Sequence, residues 1–158
     1  MFLRGNKLTI DEYLSQPRKL KRKCNRLYKI MQAAELKATS PRDPLNLGDG
    51  IPGRKSGGNS TEDRLLDYIN ANQDYCDAYQ QYKAIRDEIE TTIDNLLYWQ
   101  GRLIYHVYIY NVFLDEADDL HGAEDILNTN SRREILAKLA EAKAALADLL
   151  RAQGVEIE

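Results

Sequence analysis

This chain has few of the residues from which active sites are usually built. Among 158 residues there are only two cysteines and two histidines. Cys24 and Cys76 stand far apart without a CxxC spacing, so neither a zinc site nor a disulfide framework is indicated. Each lies at or beside a helical seam, where a free cysteine behaves as a small hydrophobe. His106 and His121 have no accompanying ligand set, and Asp118-Asp119 point about 100° apart on a helix, so no metal is expected. There is no nucleophile-base pair and no Gly-x-x-x-x-Gly-Lys-Ser/Thr phosphate loop; neither a cofactor nor an enzyme is expected. No apolar run reaches bilayer-spanning length and the N-terminus lacks the apolar core of a signal peptide, from which we expect no membrane partner and a cytoplasmic location.

Proline and glycine are scarce outside one stretch. Three of the four prolines and five of the nine glycines fall within residues 39–60. That stretch breaks any regular period and reads as a flexible loop, and the Arg54-Lys55-Ser56-Gly57-Gly58 run within it reads as solvated.

What the chain does have is helical periodicity. Leu65, Tyr68, Asn72, Tyr75, Tyr79, Tyr82, Arg86, Ile89, Ile93 and Leu96 recur at alternating three-four spacing, the seam of a helix packed lengthwise on another. Ser60-Thr61-Glu62-Asp63 offers a capping hydroxyl and first-turn acids. Upstream, Thr9-Ile10-Asp11-Glu12 is a capping box, followed by Ile10, Tyr13, Leu20, Cys24, Leu27, Met31, Ala34 and Ala38 on a matching seam. Pro17 occupies one seam position and predicts a kink near Ser15, or a helix that ends and restarts there. We therefore expect an all-α protein with a long antiparallel, coiled-coil-like helical hairpin over residues 1–98.

Residues 99–158 should form a small C-terminal helical head. Around Trp99-Gln100-Gly101 the helical pattern breaks or weakens. Leu103, Ile104, Val107, Ile109, Val112, Phe113 and Leu114 then surround a helix that must be covered on several sides. Ser131-Arg132-Arg133-Glu134 is a second capping box. It opens a helix with Ile135, Leu139, Ala142, Leu146 and Leu149 on its seam and Gly154 as its stop. Continuous seams leave apolar surface uncovered, so either the C-terminal helix folds against the hairpin or a second copy does, and self-association into a homo-oligomer is expected.

Charge is unevenly placed. Residues 1–38 carry ten Lys/Arg against three Asp/Glu, whereas residues 61–98 carry three against nine and residues 99–158 six against eleven. Seven of the bases lie between Pro17 and Lys29 with no acid among them. They spread around the helix, so that some face the acidic second helix and some face solvent or a partner.

The run Glu12-Tyr13-Leu14-Ser15-Gln16 with Leu20, Leu36-Lys37-Ala38-Thr39 before a Gly/Ser loop, the restart at Asp63, and Tyr108-Ile109 resemble a family of short phage and prophage proteins. That family pairs a helical hairpin with a helix-turn-helix similar to region four of sigma factors, beside late-operon transcriptional regulators. The resemblance implies a phage-encoded DNA-binding transcriptional regulator in a bacterial host cell, with Ser131 opening the recognition helix. Arg132, Arg133 and Lys138 would then approach bases, while Arg18, Lys21, Arg22 and Arg26 would approach phosphates. The presumed recognition helix also holds Glu134 and Glu141. The alternative is a phage-encoded protein-binding module that acts on a host or defence protein through its acidic helical surface.

Overall fold

The computed structural model describes residues 7–40 and 61–158. Helix takes up 80% of them, and the single extended pairing among them is a bridge between Leu8 and Ile157, beside which the Glu158 N–H donates to the Leu8 carbonyl at 2.9 Å. The protein is all-α, and its first two helices, α1 (Ile10–Thr39) and α2 (Thr61–Ile93), pack on each other as a hairpin. No helix among the described residues is long and apolar enough to cross a membrane. The Ser60 cap and most of the 39–60 stretch lie outside the described residues.

Compactness divides the described residues into two units, 7–21 with 81–158 and 22–40 with 61–80. This differs from the division at residue 98 suggested by the change in sequence pattern. The start of α1 and the end of α2 belong with the head, because Tyr13, Leu14, Ile89 and Ile93 are buried in one cluster with Ile104, Ile109, Leu146 and Leu150.

The N-terminal end of α1 forms as its local sequence dictates. The Thr9 N–H donates to Glu12 Oε2 at 3.0 Å and the Glu12 N–H donates to Thr9 Oγ1 at 3.1 Å, a reciprocal capping box. Its seam holds throughout, from fully buried Tyr13 through buried Cys24 to half-buried Ala38. Burial, reinforced by the charge of Glu88, pushes the Tyr13 phenol up to about 12. Pro17 does not end the helix: α1 runs on as one element and the ring is fully buried. Pro17→Ala would relieve a helix-interior penalty of about 3 kcal/mol while losing about 2 kcal/mol of ring burial. We expect a net gain near 1 kcal/mol, a rise in Tm of about 2–4 °C. A lower Tm in a thermal melt followed by circular dichroism would mean that the packed ring outweighs the missing hydrogen bond.

The inward face of α2 is not quite the one its sequence suggests. Tyr68, Tyr75, Tyr82 and Ile89 are buried or half-buried as expected, but Leu65, Asn72 and Tyr79 are exposed. The intervening inward positions lie one residue earlier, at Arg64, Ala71, Ala78 and Ile85. Small alanines at the seam allow close helix approach, which larger residues one position on would oppose. Cys76 is likewise exposed, contrary to the buried position expected for it, whereas Cys24 is buried.

In the first unit, α2 ends at Ile93 and not near Gly101. The Asn95 and Leu96 N–H groups donate to the Thr92 and Ile93 carbonyls at 3.2 and 3.0 Å, tightening the last turn. The chain restarts as α3 (Tyr98–Ile104), runs through a π-helical segment (Tyr105–Tyr110) and closes with α4 (Asn111–Phe113). One short turn, α5 (Ala123–Leu127), and the long α6 (Arg132–Ala152) follow. Helix α3 packs on α5 and α6. The π turn inserts an extra residue, so that Ile104 and Ile109 enter one buried cluster while Leu103 and Val107 enter a second with Leu120, Ile135 and Leu139.

Helix α6 starts at Ser131, whose hydroxyl accepts from the Glu134 N–H at 3.4 Å. The reciprocal half of the expected box is replaced. Glu134 accepts from the Thr129 hydroxyl at 2.6 Å, and the Ser131 N–H donates to Thr129 Oγ1 at 3.2 Å. The buried face of α6 runs from Ile135 through Leu139, Ala142 and Leu146 to Leu150, in place of the expected Leu149. Gly154, at φ +85°, ends it.

Candidate functional site

The basic side chains singled out from the sequence divide into engaged and open groups. In the first unit Arg18 meets Asp119 at 2.7 Å, and the Lys21 ammonium lies 5.7 Å from the Tyr82 ring centre and 5.5 Å from that of Phe113. Lys138 is 5.1 Å from the Trp99 ring and 3.5 Å from Glu141. Arg132 lies 3.7 Å from Asp118, and Arg133 is exposed. Residues 115–134 set seven acids against only these two arginines. In the second unit Arg22, Arg26 and Lys29 are exposed without an ion pair among the described residues. Their spacing of four and three places them in one row along α1.

Residues 115–122 are held against the π segment by a polar clamp. Asn111 is fully buried, and its amide donates to the Asp119 and His121 carbonyls at 3.1 and 2.9 Å. His106 Nε2 donates to the same His121 carbonyl at 2.7 Å, which places the proton on that nitrogen. Gly122 has φ +80°, and a Cβ there would collide with the His106 imidazole. Asp118 Oδ1 accepts from the Leu120 N–H at 3.1 Å. The Asp118 carboxylate thus serves the loop itself and that of Asp119 meets Arg18, and no group of three or more metal-ligating side chains occurs among the described residues.

Lys143 ties α6 to the start of α1, donating to Asp11 Oδ1 at 2.8 Å. Burial works against its ammonium, yet Asp11 and the Tyr108 hydroxyl together hold its pKa above the ordinary value. Tyr108 is itself pushed up, chiefly by burial.

A concave feature lies where α2 ends and α3 begins, entirely within the first unit. It is a groove of 460 Å³ floored by Ile93, Leu96 and Gly101. Its lining also includes the charged side chains of Glu90, Asp94 and Arg102. Leu97 is 63% and Tyr98 79% exposed at its mouth. The Tyr98 hydroxyl accepts from Arg102 Nη1 at 3.1 Å, and the guanidinium lies 5.9 Å from the same ring. Gly101 makes the groove possible, since a Cβ there would stand 2.8 Å from the Ile93 carbonyl oxygen. The groove is absent from the expectations drawn from sequence, although a signal was there. In Leu96-Leu97-Tyr98-Trp99, four consecutive large apolar residues at a helix junction cannot all face one side.

The fold therefore defines an all-α protein in which a helical hairpin shares its core with a small helical head. Comparison with family models, curated proteins and solved structures finds no match for this chain.

Proposed function

We propose that the protein is a protein-binding helical module that receives a segment of a partner protein in the groove between α2 and α3. The observation that carries this reading is the exposure of Leu97 and Tyr98 at the groove mouth, with Arg102 braced against the Tyr98 ring. Tyrosine and arginine are residue types in which binding energy concentrates, and a braced side chain loses little freedom on binding. Asp94 has no ion pair among the described residues, so the fitting partner presents an apolar side chain next to a lysine or arginine. A phage-encoded chain directed at a host or defence protein is the alternative that stands beside the regulator implied by the family resemblance.

The DNA-binding regulator is the second reading, favoured by the open row Arg22, Arg26 and Lys29. Against it, the first turn of the presumed recognition helix is surrounded by the acids of residues 115–134, which repel phosphates.

Selection of a displayed random-peptide library on the immobilised protein separates the two. The expected result is a set of peptides with an apolar residue beside Lys or Arg. Their affinity should fall by about 30-fold or more in Tyr98→Ala, the roughly 2 kcal/mol of a hot-spot residue, with the Tm unchanged. Peptides that bind Tyr98→Ala as well as the parent would overturn the groove reading. Salt-titrated binding to duplex DNA, lost in Arg22→Ala/Arg26→Ala, would put the regulator in its place.

A further inference from the structure

Helix α2 carries two lengthwise stripes, and α1 uses one of them. The second comprises Leu65, Ile69, Asn72, Cys76 and Tyr79, again at alternating four-three spacing, over a rise of about 21 Å. Leu65 is 52% and Ile69 53% exposed, Cys76 is exposed, and Tyr79 stacks at 6.3 Å on Tyr75, which in turn stacks at 5.3 Å on Tyr28 of α1. All of these residues belong to the second unit. In a protein that is 30% charged, these five positions carry no charge; the same repeat meets Glu62 one step before Leu65 and Lys83 one step after Tyr79. At about 100° per residue, Asp63, Asp67 and Asp74 fall on the far side of the helix and Asp77 between that side and the stripe.

We infer that this stripe is a self-association surface, along which α2 packs in parallel against α2 of a second copy about a two-fold axis. Three observations select that occupant. Between Leu65 and Tyr79 the stripe is neutral, so over that length an identical stripe meets it without like-charge repulsion, even though residues 61–80 carry five acids against one base. The exposed side chains of the stripe, with Tyr28 beside Tyr75, offer on the order of 500 Å² per copy; two copies reach the roughly 1,000 Å² that a specific interface needs. Asn72 stands in the middle of an otherwise mostly apolar stripe. Its amide holds a donor and an acceptor and is therefore complementary to its own copy. Parallel, in-register pairing sets Asn72 opposite Asn72, whereas antiparallel packing staggers the layers and sets it against Ile69 or Cys76, leaving the amide unpaired. A single polar layer of this kind fixes register and the number of helices.

In-register pairing also places Cys76 opposite Cys76, within the Cα separation that a disulfide spans. Cys24 is buried and lies outside this surface.

Sedimentation of the full chain at micromolar concentration should show a dimer. Ile69→Glu should weaken it at least tenfold while the helix content stays that of the parent, since Ile69 is half exposed; Leu65→Lys should do the same on the same test. Treatment with diamide, which takes the two thiol hydrogens and is itself reduced to the hydrazine, should give a covalent dimer in the parent and in Cys24→Ser but not in Cys76→Ser. A monomer at high micromolar concentration overturns the proposal, as does a dimer that survives both charge substitutions. A dimer that diamide does not link through Cys76 overturns the parallel arrangement.

Discussion

Gly101→Ala is expected to destabilise the protein by about 1–3 kcal/mol, the range for overpacking a close contact. In an exposed helix the same change would stabilise by about 1 kcal/mol, because alanine is the better helix former. The sign reverses because Gly101 is buried and an added Cβ would meet the Ile93 carbonyl oxygen at 2.8 Å. That oxygen cannot move aside alone. It accepts the Leu96 N–H at 3.0 Å, so a shift must carry the whole 94–97 turn with it. A denaturant titration should therefore show a lower midpoint with an unchanged slope. A higher midpoint would show that the turn yields freely. Because Gly101 also floors the groove, peptide affinity should drop along with stability.

Asn111→Asp should cost more, about 3–5 kcal/mol near neutral pH, the range for a buried charge deprived of a partner. The amide now donates to two carbonyl oxygens; an ionised carboxylate of the same shape has nothing to donate and faces both of them. The expected loss is roughly 10 °C in Tm. Its pH dependence has a definite sign. Burial and the two carbonyls raise the folded-state pKa of the introduced carboxyl above its unfolded value of about 3.9, so the folded state holds the proton more tightly. The penalty is then greatest above the folded pKa and shrinks as pH falls towards about 3.9, where the neutral acid can donate one hydrogen bond. The quantity to measure is the Tm difference between parent and variant at each pH. A difference that stays constant from pH 8 to pH 4 would mean that the side chain had turned out to solvent.

Some of this protein was legible in its residues alone because the responsible physics is local. The Thr9 to Glu12 box closes within one helical turn, so four residues are enough to place the start of α1. Gly154 stops α6 because the conformation required there suits a residue without a Cβ. The repeat along α1 survives Pro17 because the seam depends on spacing, and burial from Tyr13 to Ala38 follows it. Together these determine an all-α hairpin before any contact is known.

Only the tertiary structure decided which face of α2 turns inward. Its apolar residues form two stripes about 100° apart, Tyr68–Ala71–Tyr75–Ala78–Tyr82 and Leu65–Ile69–Asn72–Cys76–Tyr79, and both have the same period. Periodicity reports a stripe's spacing and not its direction, so a linear reading merges the two. The choice is made by close packing, since alanine admits a neighbouring helix where tyrosine would hold it off. The same holds for Gly101, whose value lies in a carbonyl eight residues upstream, and for Asn111, whose partners lie eight and ten residues downstream. Each interaction is created by the return of the chain on itself. The groove beside Tyr98 exists for that reason: α2 stops at Ile93, α3 leaves at an angle set by the missing Cβ of Gly101, and the apolar residues at the junction cannot all be covered.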